Sequence, residues 1–88
     1  MVKIVNEGFN ASEESSEFLI QLLGRMVSDC DYYLGNGMRH PKHLWAGNEK
    51  EQIEYMKEIW KELNSRGVNL RRLTYDDILD YEEKMIEQ

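Results

Sequence analysis

Along residues 19–34 the apolar side chains fall at steps of one, three and four: Leu19, Leu22, Leu23, Met26, Val27, Cys30, Tyr33 and Leu34. A strand sends successive side chains to opposite faces, so only an α-helix gathers all eight on one side. A helix with such a stripe must be covered by other elements, and the rest of the chain has to supply the cover.

The helix has a legible start. Asn10 with Glu13, or Ser12 alone, can accept from free backbone N–H groups, and Glu13, Glu14 and Glu17 suit the positive end of the helix dipole. Gly35 is expected to end it in a left-handed conformation. These signals predict a first helix over about 11–34.

Two further stripes provide the cover. Ile53, Met56, Ile59, Trp60 and Leu63 predict a second helix over 49–65, opened by Asn48 with Glu51 at capping-box spacing. Gly67 stands just past its end, with Leu63 and Val68 at the two positions that touch in a Schellman ending. Thr74 with Asp77 opens a third helix over 75–87, and Leu73 and Ile78 fall at the hydrophobic-staple positions. Ile78, Leu79, Tyr81, Met85 and Ile86 give that helix its apolar face.

The expectation is an all-α chain. Residues 1–88 form a single helical domain of three helices, with residues 1–9 as an arm and a long glycine-bounded loop between the first two helices. Trp60, Leu63, Leu22, Leu23, Met26 and Ile78 belong to the core. A chain of 88 residues buries only about 60–65% of the surface its unfolded form exposes, so this core is thin.

Residues 35–47 read Gly-Asn-Gly-Met-Arg-His-Pro-Lys-His-Leu-Trp-Ala-Gly. Three glycines and a proline oppose a regular helix here. Arg39, His40, Lys42 and His43 place four potential cationic donors within five residues, in a chain with 17 acidic residues against 11 basic and a net charge of −6. Tyr32 and Tyr33 precede the cluster, Trp45 follows it, and Asn48 opens a helix whose first N–H groups suit anions. Basic groups interleaved with aromatics bind phosphates and stack bases. Tyr32, Asn36, Arg39, His40, Lys42, His43, Trp45 and Asn48 are therefore the candidate partner-binding residues. A structural reading competes at two of them: Trp45 as the loop's anchor in the core, and Arg39 as a partner of Asp29 or Asp31 or a cap on the first helix.

Other constellations carry less. His40 and His43 with Cys30 and Asp31 have loose spacing, and there is no second cysteine to build a zinc site, so no metal is expected. Cys30 lies on the apolar stripe and reads as a small core hydrophobe. Glu54, Glu58 and Glu62 form a four-residue ladder that reads as a solvated helix face. Gly35 to Gly37 is too short for a phosphate-binding fingerprint. No nucleophile–base pair is legible, so neither an enzyme nor a cofactor is expected. The acidic balance disfavours broad wrapping of nucleic acid while leaving room for a local basic patch. With one cysteine, no apolar run of membrane-spanning length and no hydrophobic leader in the first ten residues, the expected compartment is the cytoplasm.

Two stretches together carry a family likeness: Asp29-Cys30-Asp31-Tyr32-Tyr33-Leu34-Gly35-Asn36-Gly37 and Lys42-His43-Leu44-Trp45-Ala46-Gly47-Asn48. The chain resembles the large polyvalent protein-associated domains, type eleven, from the middle of the first helix to the end of the third. Met38 departs from the pattern, standing where a polar residue is expected. The resemblance implies a setting and no reaction: such domains occur in long multi-domain proteins of phages and conjugative elements, beside DNA-processing modules, and as short stand-alone proteins. It points to Tyr32, Tyr33, Asn36, Arg39, Lys42, His43, Trp45 and Asn48 as the matching positions.

Two functions follow as expectations. One is a small non-enzymatic binding module of a mobile genetic element, contacting a protein or nucleic-acid partner through residues 36–48. The other is an acidic decoy of a host defence protein, of anti-restriction or anti-CRISPR type, acting through Glu51, Glu54, Glu58 and Glu62. A second copy of the chain is a further candidate partner, through Tyr55, Met56 and Tyr75.

Overall fold

The structure, a computed structural model, describes residues 10–70 and 73–86. It holds three α-helices, α1 (Ser16–Leu34), α2 (Glu49–Ser65) and α3 (Tyr75–Met85), and two short 3-10 segments, Ala11–Glu13 and Pro41–His43. Among the described residues there is no strand. The expected arm at residues 1–9 lies outside the described residues, as does position 87, where the third helix was expected to end.

The first helix is not continuous from residue 11. Asn10 Oδ1 accepts from Ser12 N at 3.1 Å and from Ser12 Oγ at 2.8 Å, closing the first 3-10 segment on itself. Glu14 is extended, at φ −99° and ψ 155°. Ser15 Oγ then accepts from Phe18 N at 3.1 Å and starts α1 afresh. Two adjacent side-chain caps compete for one helix start, and each captures its own turn.

The other helix ends follow the sequence closely. Asn48 Oδ1 accepts from Glu51 N at 2.8 Å. Thr74 and Asp77 exchange both bonds of a capping box, at 3.2 and 2.9 Å. Gly67 lies at φ 83°, and the N–H groups of Gly67 and Val68 donate to Asn64 O and Leu63 O, each at 3.0 Å. Those two bonds define the Schellman ending.

The core is one cluster. It takes Leu19, Leu22, Leu23, Met26, Cys30 and Tyr33 from α1, Ile53, Met56, Ile59 and Leu63 from α2, and Ile78 and Met85 from α3. Ala11 and Leu44 join it from the two 3-10 regions. Each fully buried aliphatic side chain contributes about 1.5–3 kcal/mol by leaving water. Trp60 stands at the rim, half-buried, because its indole N–H reaches out to donate to Leu73 O at 3.0 Å. Met56 is sealed inside the core, which removes it from the apolar patch expected for a second copy; Tyr55 and Tyr75 are half-buried.

Candidate functional site

The segment between α1 and α2 is a folded structure of turns and a 3-10 helix, held from inside. Gly35 does not adopt the expected left-handed conformation; it lies at φ −112°. The left-handed positions of the segment are Met38 (φ 54°), Arg39 (φ 61°) and Gly47 (φ 87°). Gly37 donates to Tyr32 O, and Arg39 N donates to Tyr33 O at 2.8 Å, so the chain folds back over the last turn of α1. A Cβ on Gly37 would stand 2.7 Å from Tyr32 O and 3.0 Å from Tyr32 Cδ2, so only glycine permits this approach. Pro41–His43 makes a 3-10 turn, after which Leu44 and Ala46 drop into the interior.

Gln52 clasps this return. It is fully buried, its Oε1 accepts from Ala46 N at 3.0 Å, and its Nε2 donates to Met26 O at 3.2 Å. Asp29 does the same from α1: its Oδ2 accepts from Trp45 N at 3.0 Å, beside Arg25 at 3.9 Å. Partial burial raises the Asp29 pKa, against the lowering pull of Arg25 and the Trp45 N–H. Tyr33 OH donates to Glu49 Oε2 at 2.6 Å, tying the end of α1 to the start of α2.

The candidate residues separate into two groups. Trp45 is half-buried, packed edge to face with Tyr55 at 5.7 Å, and Asn48 serves as the α2 cap. Asn36, Arg39, His40 and Lys42 are exposed, Tyr32 is 47% exposed, and His43 is half-buried. The rings of Tyr32 and His43 meet at right angles with centroids 4.9 Å apart, and His40 stands 6.3 Å from His43. Met38 is 76% exposed between them in sequence. Arg39 pairs with neither Asp29 nor Asp31. Its Nη2 donates to Lys84 O near the end of α3 at 2.7 Å, while its guanidinium lies 5.5 Å from the Tyr33 ring centroid. Asp31 is taken instead by the Tyr81 hydroxyl, at 2.6 Å.

Cys30 is buried, with Sγ 3.6 Å from Met56 Sδ. Burial pushes its thiol up to about 12, so the nucleophilic thiolate is suppressed. Among the described residues no three of His, Cys, Asp and Glu are grouped to hold a metal ion.

Sequence reading missed two residues that build this architecture. Gln52 had a visible signal, a polar residue beside Ile53 on the buried face of α2. Arg66 had none, because it lies past the apolar stripe. It donates to Glu62 Oε2 at 2.8 Å, Ser16 Oγ at 3.0 Å, Ala11 O at 3.2 Å and Ser12 O at 3.3 Å, fastening the first 3-10 segment to the end of α2. The glutamate ladder is likewise engaged: Glu58 Oε2 accepts from Ala11 N at 3.4 Å.

The model of the family described as Large polyvalent protein-associated domain 11 matches residues 16–85. The chain belongs to that family. The match takes in α1, α2, α3 and the whole segment between α1 and α2, so all eight candidate positions lie inside the family domain. The first 3-10 segment, held by Arg66, lies before the matched span of this Large polyvalent protein-associated domain. No curated protein and no solved structure matches the chain. Among the described residues, no helix is long and apolar enough to cross a membrane.

Proposed function

We propose that this domain is a non-enzymatic binding module of a mobile genetic element, of the phage or conjugative-transposon kind. It acts in the cytoplasm and contacts a protein or nucleic-acid partner through residues 36–48. The family membership supports the setting. One observation carries the rest: Tyr32 at the end of α1 and Asn36, His40 and Lys42 after it face outward, and Arg39 is exposed with one guanidinium nitrogen donating to Lys84 O, on a segment that Gln52, Asp29 and Gly37 fix from within. A rigid display of polar and aromatic side chains costs little ordering on binding. The suppressed Cys30 thiol supports a role without covalent chemistry.

The acidic-decoy alternative draws on α2, where the acids are already engaged or interrupted. Glu58 accepts from Ala11, Glu62 holds Arg66, and Lys57 and Lys61 lie among them. The loop therefore carries the reading.

The test is affinity capture from a host lysate with the full chain and with a His40→Ala/Lys42→Ala variant, each checked by circular dichroism. The variant is expected to keep its helical spectrum and lose the captured partner. Undiminished capture by the folded variant ends the proposal.

A further inference from the structure

We infer that the partner contacted through this loop is a single-stranded nucleic acid, one base of which stacks on Tyr32 while Lys42 and Arg39 meet the neighbouring phosphates. The inference rests on the binding-module reading above and names its partner.

Tyr32 and Tyr33 are adjacent, yet the fold treats them oppositely. Tyr33 enters the core and donates to Glu49, whereas Tyr32 leaves about half of its surface to solvent. Its hydroxyl makes no hydrogen bond among the described residues, so no polar tether explains its place. The ring is held by packing: Gly37 approaches so closely that a Cβ would lie 3.0 Å from Tyr32 Cδ2, and His43 stands perpendicular to it at 4.9 Å. An exposed ring fixed from two sides is ordered before any ligand arrives, and every base has a face that stacks on such a ring.

The surroundings select the ligand. His40 and Lys42 are exposed; His40 stands 6.3 Å from His43, the ring packed on Tyr32, Lys42 adjoins His43 in the chain, and Lys42 forms no ion pair among the described residues. Met38 and Arg39 hold left-handed backbone, a strain of about 1–3 kcal/mol per residue that clusters at functional sites. The patch is too small to follow a duplex, and a duplex keeps its base faces inside the stack. The acidic balance of the whole chain further opposes a long electrostatic footprint. A few unpaired nucleotides fit both the single aromatic platform and the few cations around it.

The experiment measures fluorescence anisotropy of a labelled oligothymidylate of about twelve nucleotides, within the range one small module covers. A duplex of equal length is the comparison. The single strand is expected to bind at least about ten-fold more tightly at low salt, with a log–log salt slope near −2 from about three phosphate contacts. Tyr32→Leu should weaken binding at least about five-fold, Tyr32→Phe should restore it, and Lys42→Ala should flatten the slope by about 0.7. In the wild-type protein, the ring protons of Tyr32 should shift in the NMR spectrum on addition of the oligonucleotide, a readout that needs no variant. Equal binding by wild type and Tyr32→Leu, or unmoved Tyr32 resonances at saturation, overturns the inference. If no oligonucleotide binds but His40→Ala/Lys42→Ala abolishes capture of a nuclease-resistant protein partner, the nucleic acid is wrong and the binding module stands. If that variant also captures as wild type, both fall.

Discussion

At Met38 a flexible apolar side chain sits in left-handed backbone, with φ 54° and 76% of its surface exposed. That backbone strains Met by about 1–3 kcal/mol and glycine not at all, and the extra freedom glycine gives the unfolded chain offsets only part of this, so Met38→Gly should stabilise the domain by about 0.5–1 kcal/mol. The expected result is a rise of several degrees in thermal midpoint; a fall would mean the exposed Met side chain has a packing role. Gln52 is the opposite case, a polar side chain sealed in the core with both ends bonded. Gln52→Leu keeps the bulk but removes both of these buried bonds, and should cost about 1–3 kcal/mol in urea denaturation. The apolar residues on the stripes, the caps of α2 and α3 and the glycine after α2 could be placed from sequence because each obeys a local rule; the α1 cap, Ser15, was not, because Asn10 offers a competing start. The distant bonds of Gln52 and Arg66 could not, because Met26, Ser16, Ala11 and Ser12 lie 26 to 55 positions away from them.

Among the elements, the first 3-10 segment is the least integrated. Ala11 is buried, yet the segment is fastened mainly by Arg66 and Glu58 from α2. Arg66→Ala should therefore release it locally. Amide hydrogen exchange at residues 11–14 should accelerate by an order of magnitude or more, while Leu23 and Ile59 keep their protection. Equal acceleration across all three helices would show that the anchor supports the whole fold. The stretch after α1 was legible as a break from its glycines and proline, but not its path. The path comes from Gly37 meeting Tyr32 O, Asp29 meeting Trp45 N, and Arg39 reaching Lys84 O across to α3.

For the whole molecule, the smallest dimension is 19 Å, about two helix diameters, so the core is a single layer with little reserve. Several groups in it titrate in the alkaline range. Burial, reinforced by Glu49, raises Tyr33 from 10 to about 12, burial raises Cys30 from 9 to about 12, and burial with Asp31 raises Tyr81 as well. All three are held in the neutral form by the folded state, so the unfolded chain loses these protons first. Their stabilisation is complete below about pH 9 and falls away as pH climbs from 9 towards 12. Denaturation midpoints measured across that window should decline steeply, and Cys30→Ala with Tyr33→Phe should flatten the decline. A wild-type midpoint independent of pH up to 12 would contradict the assigned burial of both groups.

The three apolar stripes determined three helices, their order and most members of a shared core, because helix periodicity acts within a few residues, while Trp60 at the rim and Ala11 and Leu44 in the core were settled by packing. What those helices do with the polar residues between them was decided only by packing. Folding brings Gly37 onto Tyr32, Gln52 onto Ala46 and Arg39 onto Lys84, and so divides one basic, aromatic sequence into an anchored half and a displayed half. That division depends on distances between residues far apart in the chain, which no local pattern encodes.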